Sequence, residues 1–211
     1  MKDIEILLNC AISADGFLGR KGEKTKLSNE EDWRQVHLLR ETFDVILVGA
    51  ETIRTDNPSL RVKKKWLGRV PKRHPHRVVL TISGNIPKSS RVLDARSPTT
   101  IFSSFDGRKA LQNKEIGRHI EIIETDTKEV VGTIMKWMKS KNYRRLFVEG
   151  GSRMFMLFLQ SGLRVRFRIF RSPLLLGANN GVPLVHNMFA GLRRIRTYLL
   201  GDGTVDLYEK C

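Results

Sequence analysis

Cysteine is scarce in this chain of 211 residues: Cys10 and Cys211 are the whole complement, too few for a disulfide framework. No histidine stands near either one at metal-ligand spacing, so a zinc centre is not expected. Long hydrophobic runs are missing too, since no stretch approaches the roughly 18–20 apolar residues that span a bilayer. The N-terminus lacks the charged, apolar and small-residue succession of a signal peptide, and a cytoplasmic protein is the expectation. Acid is absent from whole segments. None occurs from Asn57 to Leu93, where ten Lys and Arg residues fall, and none from Gly150 to Gly201, where there are eight arginines. The net charge of +16 would suit a polyanion binder. Yet zinc-finger spacing and RNP-type aromatic motifs are missing, and the three Trp and three Tyr are not interleaved with the basic runs. Small anionic ligands therefore fit better, with a basic nucleic-acid-binding protein as the non-enzyme alternative.

What is present is the composition of a globular protein, 40% hydrophobic and 28% charged, with no linker or repeat, so residues 1–211 read as a single domain. Apolar segments at Ile4–Leu8, Val45–Val48, Val78–Ile82, Thr99–Phe102, Ile120–Ile123, Leu146–Val148, Phe167–Phe170, Arg196–Leu200 and Val205–Tyr208 predict strands. Several are near-continuous apolar runs, as in strands buried on both faces. A helix is predicted from Ser28, with Glu31 completing a capping box and Trp33, Val36, His37 and Arg40 on one face. A second is announced by Thr127, with Val130, Ile134 and Trp137 as its stripe and Val131, Met135 and Met138 beside it. A third starts at Ser152. The alternation predicts an α/β fold: a mostly parallel, many-stranded sheet with helices on both faces, ending in an antiparallel hairpin about Gly201-Asp202-Gly203. Cys10 is expected in the core, Cys211 at a frayed terminus, and the basic loop Lys63–His76 is expected to be the most mobile element.

Two joints carry the functional signal. Leu146-Phe147-Val148 ends at Glu149, and Gly150-Gly151-Ser152 opens a helix, which offers bare backbone N–H groups and a positive helix end to an anion. Val45 to Val48 likewise ends at Gly49, followed by Ala50-Glu51-Thr52 and the turn Asp56-Asn57-Pro58-Ser59, where Asn57 before proline is pushed out of the α region. Each joint alone could be ordinary strand–turn–helix punctuation. Two such strand ends predict one crevice at the carboxyl edge of a sheet, suited to a nucleotide cofactor better than to a metal.

In their order along the chain, Ile12-Ser13-Ala14-Asp15-Gly16, Leu27-Ser28, His37-Leu38-Leu39-Arg40, Val48-Gly49-Ala50-Glu51-Thr52, Asp56-Asn57-Pro58-Ser59-Leu60, Val148-Glu149-Gly150-Gly151 and Pro173-Leu174-Leu175-Leu176-Gly177 resemble the riboflavin-biosynthesis reductases. The resemblance covers nearly the whole chain. It implies a dihydrofolate-reductase-like fold, usually a homodimer, and NADPH-dependent conversion of the ribosylamino side chain of a pyrimidine 5′-phosphate into a ribitylamino chain. The zinc signature of the deaminase module that precedes bacterial relatives is missing from these residues. A stand-alone reductase resembles the archaeal and fungal type, acting on 2,5-diamino-6-ribosylamino-4(3H)-pyrimidinone 5′-phosphate. The alternatives are the deaminated uracil substrate, 5-amino-6-(5-phosphoribosylamino)uracil, and a pteridine or folate reductase on the same fold.

The resemblance assigns Thr52 and Asp56 to the nicotinamide–ribose half of NADPH, Gly150, Gly151, Ser152 and Arg153 to its pyrophosphate, and Ser83 to the adenosine 2′-phosphate. Thr25, Arg40, Leu60 and Lys63, or Arg61 in place of Lys63, fall to the substrate. Glu149 falls to its amino-pyrimidine edge. Arg40 and Lys63 suit a phosphate. Lys26 stands where some relatives carry tryptophan. The implied chemistry opens the sugar to an imine whose C1′ accepts hydride, with Asp56, Glu149 or water as the acid. Arg164-Val165-Arg166 replaces an acidic pair usual in relatives, near the dimer edge that the resemblance implies.

Overall fold

The computed structural model describes residues 3–114, 116–184 and 189–210. In chain order the elements are β1 (Glu5–Ile12), β2 (Phe17–Arg20), α1 (Glu30–Thr42), β3 (Val45–Gly49), α2 (Ala50–Asp56), α3 (Lys64–Leu67), β4 (His76–Thr81), β5 (Thr99–Ser103), α4 (Phe105–Asn113), β6 (Ile120–Glu124), α5 (Val130–Ser140), β7 (Arg145–Glu149), α6 (Ser152–Gln160), β8 (Arg166–Arg171), β9 (Gly181–Pro183), β10 (Leu192–Leu200) and β11 (Gly203–Lys210). Nine strands form one sheet in the order β10-β11-β8-β1-β7-β3-β4-β5-β6, and β2 pairs with β9 as a separate ribbon. Every pairing from β8 to β6 is parallel, and β11 and β10 add the antiparallel hairpin that the sequence predicts.

The alternation of strand side chains explains why helices cover both faces. Ile6, Leu8, Val45, Leu47, Leu146 and Val148 face one core, which is closed by Ile134, Trp137 and Met138 of α5 and Phe155 and Phe158 of α6. Their neighbours Leu7, Ile46, Val48 and Phe147 face the other, closed by Val36 of α1, Ile53 of α2 and Leu111 of α4. Cys10 lies in the first core, where burial drives its thiol pKa far up. Cys211 lies outside the described residues.

Several local expectations are corrected. The cap of α1 is Asn29, not Ser28: its Oδ1 accepts the Asp32 N–H at 2.8 Å while its Nδ2 donates to Leu200 O and Asp202. A single side chain thus ties the helix start to the β10–β11 turn. The Asp126 carboxylate takes the Lys128 N–H in a turn of its own, so α5 begins at Val130 rather than at Thr127. Helices α2 and α4 and the β2–β9 ribbon fall where no element was predicted. Asn57 does leave the right-handed α region, but it enters the left-handed one (φ 42°) as the C-cap of α2.

The basic loop is pinned rather than loose. Glu41 takes the Arg69 guanidinium and the Lys72 N–H, Asp44 pairs with Arg73, and Lys64–Leu67 forms a helical turn. His76 belongs to β4, bonded to Tyr143 Oη and Thr100 Oγ1. Arg166 opens β8, which lies between β1 and β11 and is not a free sheet edge, and it pairs with Glu5.

Part of the positive charge is internal. Arg168 is buried with Asp32 at 2.7 Å and also bonds Asn9 and Gln35. Arg77, fully buried, is held by Thr99 Oγ1, Asp94 and the Arg91, Asp94 and Ser97 carbonyls. Such charges are tolerable inside because nearly every donor finds an acceptor; among the described residues Arg168 Nε is the exception, buried without one.

Candidate active site

Strands β3 and β7 are hydrogen-bonded neighbours, with Leu47 level with Val148, so Gly49 and Glu149 leave the sheet side by side. A Cβ on Gly49 would lie 3.5 Å from Met154 Cε, which puts the β3–α2 and β7–α6 joints in contact. Thr52 and Gly151 therefore sit on the same edge of the sheet, as the two glycine joints predict. The Ile12–Gly16 segment borders this edge: the Asp15 carboxylate accepts the Leu176 and Gly177 N–H groups, and Ala14 N donates to Leu174 O. That brings together two further motifs about 160 residues apart.

Arg40 and Glu149 meet at the junction. Arg40 Nε donates to Oε1 at 2.8 Å and Nη2 to Oε2 at 2.6 Å, a bidentate pair with side chains 6% and 16% exposed. The sequence offers them as separate ligands for a phosphate and a pyrimidine edge; the structure couples them. Arg40 Nη1 has no partner among the described residues and each Glu149 oxygen keeps a lone pair, so the pair can still present the two N–H donors of Nη1 and two acceptors. One turn back on α1, His37 is buried and its Nδ1 accepts the Lys63 N–H at 3.1 Å. Burial, with the Arg40 and Lys63 charges, holds the His37 pKa down to about 3. The ring is therefore neutral at physiological pH and can serve as that acceptor. Its contribution, fixing the Lys63 backbone to α1 under stacked Trp66, was legible only as part of the His-Leu-Leu-Arg run.

Lys63 has its pKa lowered by burial and by the Arg40, Arg91, Lys65 and Lys24 charges, as in a cluster of cations awaiting an anion. Asp56 ends α2 with an exposed side chain. Crowding by the surrounding protein raises its pKa, while Lys24 pulls the other way. Lys24, Asp56 and Lys63 thus share one neighbourhood with the Arg40–Glu149 pair. Neither the Thr52 nor the Asp56 side chain has a hydrogen-bond partner among the described residues, so both are available to a ligand.

Leu60 is buried and left-handed (φ 54°), so only its backbone can face a ligand. With Asn57 it makes two non-glycine left-handed residues in four positions, a concentration of strain of about 1–3 kcal/mol each. Thr25 accepts the Arg20 N–H on its hydroxyl and is half-committed to the loop. Arg61 turns away from Arg40 and bonds His74, which leaves Lys63 as the cation of that segment near the pair. Ser83 is exposed just beyond β4, the strand next to β3.

The residues before α6 fit a phosphate-bearing cofactor. Gly151 caps α6 without any side-chain bond, and nothing lies within 4 Å of the position its Cβ would take. Ligand oxygens can reach backbone donors there. A Cβ on Gly150 would lie 3.1 Å from Met154 Cβ, a tight contact that a side chain could make only if the first turn of α6 shifted slightly. The Ser152 hydroxyl donates to Pro183 O, so it joins α6 to the β2–β9 ribbon and leaves only the backbone N–H of Ser152 for a phosphate. Arg153 is exposed in the first turn of α6.

Among solved structures, the fold resembles a diaminohydroxyphosphoribosylaminopyrimidine deaminase/5-amino-6-(5-phosphoribosylamino)uracil reductase of Thermotoga maritima (TM-score 0.80, 23% identity), covering 99% of this chain and 57% of that one. It also resembles the riboflavin biosynthesis reductase Rib7 of Saccharomyces cerevisiae (TM-score 0.71, 18% identity), covering 100% and 92%. In sequence the chain is 29% identical to a 2,5-diamino-6-ribosylamino-4(3H)-pyrimidinone 5′-phosphate reductase of Methanothermobacter thermautotrophicus over 96% of both chains. It is 30% identical to the enzyme of the same name from Archaeoglobus fulgidus over 83% of both. With the RibD C-terminal domain model matched across residues 5–205, on a sheet whose glycine joints meet at one edge, the chain belongs to the RibD C-terminal domain family.

Proposed function

We propose that this protein is an NADPH-dependent reductase that converts the ribosylamino side chain of 2,5-diamino-6-ribosylamino-4(3H)-pyrimidinone 5′-phosphate to the ribitylamino form. The observation that carries this reading is the juncture of β3 and β7, where a bare glycine helix start lies beside a buried Arg–Glu pair and a partnerless Thr52 and Asp56. Relatives of that name match nearly the full chain.

Gly150, Gly151 and the first N–H groups of α6 would hold the cofactor pyrophosphate, Thr52 and Asp56 its nicotinamide ribose, and Ser83 the far phosphate. When bound, the reduced nicotinamide supplies a hydride. Arg40 Nη1 and Lys63 attract the substrate phosphate. Glu149, held in place by Arg40, accepts from the amino groups of the pyrimidine edge. Fixing both partners before the reaction is the main contribution of the chain, because orientation alone can remove several kcal/mol of barrier. Asp56, with its raised pKa, is the better placed proton donor, since a carboxyl group must hold a proton to give one.

The test is anaerobic incubation with NADPH and either the diaminopyrimidinone or the amino-uracil ribosyl phosphate, followed at the nicotinamide absorbance band. Faster oxidation with the former is expected; no oxidation with either refutes the reading. NADH in parallel checks the preference for NADPH. A homodimer belongs to the same reading, supported by the edge strand β10 with Ile195 and Leu199 exposed, and light scattering tests it. So does a cytoplasmic location, tested by fractionation.

A further inference from the structure

A cavity of about 500 Å³ opens on the molecule between the Ser59–Lys64 segment, the Val70–His74 loop and the residues leading into β5. Its wall carries Arg61, Lys64, Arg91, Arg96 and His74, and no carboxylate lines it. Asp94, the nearest acid in sequence, is divided between Arg77 and Arg96. Arg91 is exposed and forms no ion pair among the described residues. Cations gathered without an acid repel one another, and the arrangement is stable only if something negative offsets them.

Hydrogen-bond accounting points the same way. Arg61 Nη2 lies 2.9 Å from His74 Nε2. A guanidinium can only donate, so Nε2 must be the acceptor and the proton of the neutral ring sits on Nδ1. Among the described residues that Nδ1–H is buried with no partner, and so is Arg61 Nε–H. Two residues on one wall thus each hold a buried donor without an acceptor, at a cost of about 1–3 kcal/mol apiece if left unmade. Burial and the Arg61 and Arg77 charges also keep His74 below its ordinary pKa, a penalty that an anion would relieve. Val62, Val70 and Pro71 supply the apolar part of its wall.

We infer that this cavity is a second anion site, separate from the crevice at β3 and β7, that takes a phosphate dianion, either free phosphate or the phosphate of a small ester. The volume is that of a small-molecule pocket. The guanidinium groups match oxyanion geometry, and the apolar wall gives an ester somewhere to rest. Lys63 stands on the border between cavity and crevice and for that reason is no part of the test. The site goes beyond the reductase reading and does not depend on it.

Calorimetric titration of the full chain with inorganic phosphate and with glycerol 3-phosphate, at fixed ionic strength, tests the site. Arg61→Gln and Arg91→Gln should each weaken binding at least tenfold, whereas Lys24→Gln, in the crevice, should change it less than twofold. Arg91→Gln keeps the experiment decisive should Arg61→Gln unfold. An ester bound tighter than phosphate brings the apolar wall into the site; equal affinity makes free phosphate the occupant, and both support it. Absence of binding, binding abolished by sodium chloride at matched ionic strength, or loss in Lys24→Gln with retention in Arg91→Gln overturns it. NADPH oxidation by the same preparation tests the crevice independently.

Discussion

Replacing Arg40 by Gln should damage the protein less through lost attraction than through what it leaves behind. Glu149 would remain as a carboxylate only 16% exposed, stripped of a bidentate partner now bonded at 2.6 and 2.8 Å. Removing one member of a buried pair costs about 3–5 kcal/mol, because the survivor keeps its desolvation penalty. Some water still reaches Glu149, so the lower end, about 3 kcal/mol, is expected. With a urea m-value of about 2 kcal/mol/M the unfolding midpoint falls by about 1.5 M. Glu149→Gln should cost somewhat less, since Arg40 retains an amide acceptor. The double variant Arg40→Gln/Glu149→Gln carries no orphaned charge and should be more stable than Arg40→Gln alone, a coupling of about 2 kcal/mol in a double-mutant cycle. All three variants should lose turnover, while NADPH affinity, which the proposed function assigns to Gly151 and α2, should stay within about twofold for each. Additive stability losses, with coupling below about 0.5 kcal/mol, would refute the pairing; equal losses of NADPH affinity and turnover would refute the assignment of Glu149 to substrate.

Asp32→Ala should cost about 3–5 kcal/mol by leaving Arg168 buried and short of an acceptor, while Asp32→Asn recovers part of it; similar midpoints for the two in urea would count against that. Stability should also decline in acid. Burial holds His37 at about 3 and His76 at about 4, with Glu121 partly opposing it at His76. Both folded values lie below the unfolded 6.5, so the unfolded chain takes up protons first as pH falls. The contribution is whole above about 6.5 and drains away toward 4 for His76 and 3 for His37. At pH 4.5 that is roughly 3 kcal/mol for His37. His37→Gln should therefore flatten the urea midpoint's slope between pH 7 and 4.5, and an unchanged slope refutes the linkage.

The elements were legible where one local rule governs them. Short, near-continuous apolar runs marked the strands, and the stripe Val130, Ile134, Trp137 marked α5, because burial is written into the segment itself. The same rule made Gly49 and Gly150-Gly151 visible as strand-end joints. Where two local solutions compete, the sequence could not choose. Ser28 and Asn29 are both good caps, and Asn29 prevails because its amide also reaches Leu200 and Asp202, over 170 residues away. Helix α2 hid among small and hydroxyl residues because its stability comes from Ile53 packing in the second core.

What the chain determined alone was its inventory: alternating strands, glycine joints, and cations in excess. Only the tertiary structure decided which of these meet. Placing β7 between β1 and β3 sets Glu149 beside Gly49 and lets Arg40 reach it across 109 residues. It likewise sends Arg77 and Arg168 inward while Lys63 stays by the crevice and Arg61 turns to His74. The physical reason is that strand order and buried charge pairing are settled by long-range complementarity, and no segment carries its partner's position within itself.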